Sequence, residues 1–183
     1  MTTWIRRNAV ALVAVVVLAP ATIAITFASE WGSYFQSRAS QPITVAADES
    51  ATFAGTQWRI NNTRRIPASS AEGLEAGLPS GSDLVVVTVE VRPGDLTDDG
   101  QSPFCVVRLD ELDGTRVART WNDAIFSAIQ YRGGSDVESS CVSDLVDPYR
   151  FEAIFVVPDD TDGDLALQLE VTAELPQYLH LRL

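Results

Sequence analysis

Leu84-Val85-Val86-Val87-Thr88-Val89-Glu90-Val91 is the stretch on which the fold turns. Val85, Val87, Val89 and Val91 fall on one face and Thr88 and Glu90 on the other, the period of two that a half-buried strand shows. Gly81-Ser82 leads into the run and Pro93-Gly94 closes it, so turn chemistry brackets it on both sides. Working outward, the same pattern predicts strands over Phe104–Leu112, Thr115–Trp121, Tyr149–Val157, Asp164–Ala173 and Gln177–Leu183, with shorter ones at Ile43–Val45 and Gln57–Asn61. Asp113-Gly114 and Asp162-Gly163 read as hairpin turns. Seven or eight strands within roughly 130 residues predict an all-β chain, an immunoglobulin-like antiparallel β-sandwich.

One stretch breaks the alternation. Asn122–Ile129 reads as a short capped helix with Ile125 and Ile129 on its buried face, ending before Gly133-Gly134. A connection as long as Asn122–Asp147 is uncommon in a compact domain; it is either a crossover between sheets or a working surface. The binding candidates are Tyr131 and Arg132 beside Gly133 and Gly134, because aromatic and arginine side chains anchor interfaces.

At the other end of the chain, Arg6-Arg7 precede an uncharged run from Asn8 to Ser29 that closes on Glu30 and Trp31. A bilayer core of roughly 30 Å needs about 20 apolar residues, and Ala9–Ala28 supplies them. Basic residues on the amino side predict a cytoplasmic N-terminus and an exported body, with Trp4 at one headgroup level and Trp31, Tyr34 and Phe35 at the other. The expected organisation is a cytoplasmic terminus (1–7), a transmembrane helix (8–29), a juxtamembrane tether (30–50) and an extracellular sandwich (51–183). The competing reading is a cleaved signal peptide, cut after Ala21 or after Ala28, although signal h-regions are usually only about 7–15 residues long.

Setting aside Arg6, Arg7 and Glu30, the exported part carries 24 acidic and 11 basic residues, a surface that repels nucleic acid and anionic headgroups. Every basic residue is arginine, the compositional mark of a GC-rich bacterial genome. In an oxidising compartment the two cysteines, Cys105 and Cys141, are expected to form a structural disulfide. Redox chemistry would need a C-x-x-C spacing or flanking cations, and neither is present.

Catalytic patterns are sparse. His180, the one histidine, sits between Leu179 and Leu181 and reads as a strand residue on a polar face; no G-x-S-x-G elbow accompanies it. A carboxylate-based hydrolase, the third reading, would require Asp123, Asp136 or Glu138 buried in a cleft with a raised pKa. Asp160, Asp162 and Asp164 in the turn Asp159–Asp164 form a weak calcium candidate, with spacing wrong for an EF-hand and a solvated hairpin as the plainer account. The second acidic turn, Asp95–Gly100, is weaker still. No metal or other cofactor is expected.

Three segments carry a family resemblance: Leu78–Val91, the strand running into Asp113-Gly114, and Phe151–Pro158 ahead of a final hairpin. Across roughly Thr52–Leu183 the chain resembles the telokin-like, immunoglobulin-like extracellular domains of Gram-positive bacteria. That group is largely of unknown function and includes a secreted mycobacterial immunoprotective antigen. The resemblance implies an exported, noncatalytic sandwich, often behind a membrane or lipid anchor. The expected function is a membrane-anchored envelope binding or accessory module whose partner is an envelope protein or another copy of itself. The alternative is a secreted binder of a small or cationic ligand.

Overall fold

A computed structural model describes residues 2–96, 99–125 and 128–183. The chain divides into two compact units, one ending at Arg38 and one running from Ala39 to Leu183. The first holds α1 (Thr2–Arg7) and the 28-residue α2 (Ala9–Gln36), which contains Pro20. The helix therefore continues well past Ser29, because Trp31-Gly32-Ser33-Tyr34-Phe35 carries no breaker strong enough to stop it.

The second unit contains β1 (Gln41–Val45), β2 (Ser50–Phe53), β3 (Thr56–Pro67), the short α3 (Ala71–Glu75), β4 (Ser82–Arg92), β5 (Cys105–Asp113) and β6 (Arg116–Asn122). After a long connection come β7 (Tyr149–Pro158), β8 (Asp164–Val171) and β9 (Gln177–Arg182). Sheet A runs in the order β1-β9-β8-β5-β6 and sheet B in the order β2-β3-β4-β7. All pairings are antiparallel except that of β1 with β9, which is parallel. Gln41–Val45 lies inside the segment read as a tether, yet its backbone pairs with Gln177–Leu181. Of that segment, residues up to 36 belong to α2 and the sheet begins at 41.

The core follows from the alternation. Val85, Val87, Val89 and Val91 meet Phe151, Ala153, Phe155 and Val157 from sheet B, and Leu109, Leu167, Leu169, Leu179 and Leu181 from sheet A. Trp58 is completely buried among them, and its indole N–H donates to the Phe53 carbonyl at 3.0 Å. Each large side chain withdrawn from water here contributes about 1.5–3 kcal/mol before entropy is set against it.

Sheet B also buries its outer face, which the Leu84–Val91 pattern did not anticipate. Leu84, Val86 and Ile154 form a second apolar cluster with Ile66, Ala68, Ala76 and Leu78. Ile66 reaches that side because the register of β3 against β4 shifts between Ile60 and Asn62; the extra residue, Asn61, inverts which face later side chains occupy. Ser70 caps α3 by accepting from the Gly73 N–H at 3.0 Å, which holds the segment 71–78 over the cluster.

The long connection completes the cover. Ala124, Ile129 and Tyr131 pack on the second cluster. The expected helix over 122–129 is corrected: Asn122 ends β6, and Asp123 Oδ1 accepts from the Ile125 N–H at 3.0 Å in a local turn. Ile129 meets the second cluster as expected of a buried face, but from a loop. Phe126 and Ser127, also within that expected helix, lie outside the described residues, as does Asp98 of the second acidic turn. Cys105 and Cys141 are joined, with Cα atoms 5.7 Å apart, tying the connection to the start of β5. Ser102 adds two bonds nearby: its N–H donates to the Ser143 carbonyl (2.9 Å) and its hydroxyl to that of Leu145 (2.7 Å).

Candidate functional site

Of the four residues expected to bind, Tyr131 is occupied structurally. Its hydroxyl donates to Glu152 Oε2 (3.0 Å) and accepts from Arg64 Nη2 (2.9 Å), while its ring packs on the second cluster. Burial first, and then the Glu152 carboxylate accepting its proton, push the phenol pKa up. Gly133 has a specific reason to be glycine, because an added Cβ would stand 2.5 Å from Glu152 Oε2. Any larger residue would displace the carboxylate that receives the Tyr131 proton. Gly134 shows no comparable restriction, its nearest neighbours lying at ordinary van der Waals distances of 3.4 Å.

Arg132 is different. It is exposed, and the chain beside it is fixed, since the Gln130 N–H donates to the Ala76 carbonyl at 2.9 Å. Glu72, Glu75, Ala76, Gln130, Tyr131 and Arg132 line a hollow of about 290 Å³. Its acidic wall comes from α3, and Arg64 reaches Glu72 across 3.3 Å. The sequence offers no signal that Arg64, Glu72 and Glu152 would join Tyr131, because they come from three elements brought together by packing.

The carboxylates considered for catalysis are dispersed. Asp123 is half-buried and desolvation raises its pKa, but its carboxylate is held by two backbone donors, the N–H groups of Ile125 and Ile154. Asp136 is exposed and pairs with Arg150. Glu138 is exposed and acts through its backbone, forming a bridge with Phe151 on the edge of β7. The buried cleft that the hydrolase reading required of Asp136 and Glu138 is not what surrounds them.

The turn at Asp159–Asp164 is organised by arginine. Arg65 donates to the carbonyls of Thr161 (2.7 Å) and Asp159 (3.5 Å) while its Nε meets Asp83 Oδ2 at 2.6 Å. Asp160 is exposed and lies 3.3 Å from Arg119 Nη1, and Asp162 and Asp164 are exposed. Among the described residues no group of three or more histidine, cysteine, aspartate or glutamate side chains is placed to hold a metal. Arg119 also pairs with Glu111, whose carboxylate accepts from the Gly163 N–H (3.2 Å). The guanidinium holds the Glu111 pKa below its usual range.

On the outer face of sheet A, His180 is buried and faces Asp110. Asp110 Oδ1 accepts from the Thr120 hydroxyl at 2.6 Å, and Tyr178 lies edge-on to the imidazole with centroids 6.0 Å apart. Both partners are more than nine-tenths buried, which makes the pair part of the packing.

These features define a two-sheet β-sandwich accompanied by an N-terminal apolar helix. No protein-family model matches the chain, and no curated protein does. Two solved structures are similar. One is an uncharacterised β-sandwich protein of Clostridium difficile, 12% identical, with a TM-score of 0.42 over 78% of this chain and 95% of that one. The other is the ycdA product of Bacillus subtilis, a candidate lipoprotein, 12% identical, with a TM-score of 0.46 over 75% of this chain. The match spans 38% of the Bacillus chain.

Proposed function

We propose that the protein is a noncatalytic binding or accessory module of the cell envelope, held to the membrane by α2 with the sandwich outside, and related to the telokin-like extracellular domains. The observation that carries the binding half is Arg132, an exposed cation on a body of net acidic charge, beside the acidic wall of α3. The chain leading into it is pinned, by the Gln130 N–H on the Ala76 carbonyl and by the Tyr131 side chain on Glu152. A charged side chain on a fixed backbone gives up little main-chain freedom on engagement. Arg132, with Gly134 beside it, is the recognition element of this reading; Tyr131 and Gly133 act as its support.

The membrane half rests on α2. Its apolar side chains are solvent-facing, Val10 at 85% and Ile25 at 77%, where a core helix would hide them. The 28 residues reach about 42 Å, enough to cross a bilayer with Trp31, Tyr34 and Phe35 at the headgroups of one side.

The test has two arms. After alkaline carbonate washing the full-length chain stays in the membrane pellet, and protease added outside spheroplasts removes most of its mass. A soluble form beginning at Ser29 would instead make this a secreted binder. Separately, Arg132→Glu weakens capture of the envelope protein that co-purifies from detergent-solubilised membranes, without lowering the melting temperature. Unchanged capture overturns the assignment of Arg132.

A further inference from the structure

Sheet B closes its β7 edge and sheet A leaves β6 open. Along β7, the Ala124 N–H donates to the Ile154 carbonyl (2.7 Å), Glu138 N–H to that of Arg150 (2.9 Å), and Glu152 N–H to that of Glu138 (2.9 Å). The edges at β1 and β2 are blunted by length, at five and four residues, and β1 carries Pro42. β6 has seven residues, six of them exposed, and among the described residues its outer edge meets no backbone partner. The register shift opposite Glu111/Leu112 makes Ala118 a bulge that bends the hairpin end away, leaving Arg119–Asn122 as the regular part.

The side chains there complement themselves. Arg119 lies over the Trp121 ring, 5.4 Å from its centroid, and Trp121 is half-exposed. Two residues on, Asp123 is half-buried; its carboxylate accepts from the Ile125 and Ile154 N–H groups, and none of the ion pairs among the described residues reaches it. From this arrangement we infer that β6 docks on β6 of a second copy, the two strands pairing antiparallel about a twofold axis at Trp121. In that register Trp121 faces Trp121, Thr120 faces Asn122, and Arg119 faces Asp123, each of the last two twice. Arg119, which holds Glu111 and Asp160 in its own chain, thereby nears a carboxylate that has no cation there. Shifting the axis to Arg119 sets guanidinium against guanidinium, which like-charge repulsion disfavours. The paired segment is short beside a standard interface. Confinement of copies to one membrane, which rests on the anchoring proposed above, supplies the concentration that a short interface needs.

The experiment uses the full-length chain in phosphatidylcholine liposomes. The variant with both Thr120→Cys and Asn122→Cys, mildly oxidised, gives a dimer on a non-reducing gel. Adding Arg119→Asp lowers that yield at least roughly fivefold, and adding Asp123→Arg to it restores the yield. Every variant is checked for cooperative melting; where Arg119→Asp fails to fold, Asp123→Arg alone is the disrupting change. Absence of the dimer, a yield indifferent to the charge change, or no rescue by the swap overturns the inference. Carbonate washing of native membranes reports on anchoring independently, so failure of that reading is seen separately.

Discussion

His180 Nε2 lies 3.2 Å from Asp110 Oδ2 across the width of strand β8, and Ala166, the residue of β8 opposite Asp110, is completely buried. The small side chain at 166 leaves room for the two to approach. Both atoms are shut off from water and are not aligned as a hydrogen bond, so the contact is one of close packing between polar groups. Asp110→Ala leaves the Thr120 hydroxyl without its acceptor and opens a gap beside His180, and is expected to cost about 1–3 kcal/mol in denaturant unfolding. Combined with His180→Ala, the loss should fall short of the sum of the single losses; an additive result would mean that the contact contributes nothing. Ala166→Leu should destabilise as well, by forcing the pair apart.

The disulfide closes a loop of 36 residues' separation, and constraint of the unfolded chain is worth about 3–4 kcal/mol on that length in the chain-entropy model. Replacing Cys105 and Cys141 together by alanine should lower the melting temperature. Free thiols in the unreduced, denatured protein would contradict the pairing.

Tyr131 and Arg132 should separate cleanly when mutated one at a time. Tyr131→Phe removes bonds to Glu152 and Arg64 and should cost about 1 kcal/mol of stability. Gly133→Ala should produce a similar loss by pushing Glu152 away. If Tyr131→Phe leaves unfolding unchanged, the role of its hydroxyl as a support is wrong.

Glu111 gives a pH dependence with a definite sign. Its folded pKa is depressed, chiefly by Arg119, so its contribution is present above the ordinary carboxylate value of 4.5 and is lost as pH falls through the lower folded value. Glu111→Gln should therefore lower the melting temperature at pH 7, and the difference from wild type should shrink in acid. A gap that persists at pH 2 would place the effect in packing instead.

At the acidic turn the ordering cation is expected to be Arg65. Arg65→Met should lower the melting temperature, because the carbonyls of Thr161 and Asp159 and the Asp83 carboxylate all lose a donor. Asp160→Ala with Asp162→Ala should leave the response to added calcium unchanged. A calcium-dependent rise in wild-type melting, lost in that double variant, would reinstate the metal site.

Strands announced themselves through alternation and bracketing turns, even in β4, whose two faces are both buried. The stretch Leu84–Val91 and the turn Asp113-Gly114 gave their elements to within about two residues, since side-chain alternation and turn chemistry are local properties. The apolar helix and the cysteine pair were legible for the same reason, one from composition and the other from count and compartment.

What the tertiary structure decided was everything that depends on a partner distant in sequence. The second half of β3 was hidden because the extra residue at Asn61 breaks the alternation, and Arg64-Arg65 looks like a solvated pair until Tyr131, Asp83 and Thr161 meet it. β2 is four residues long and is defined by its pairing with β3. The long connection reads as free surface because its anchors, Ala76, Ile154 and Glu152, lie elsewhere in the chain. Whether a side chain is exposed, like Arg132, or internal support, like Tyr131, is set by which face of sheet B is covered. Periodicity within a single segment contains no information about that.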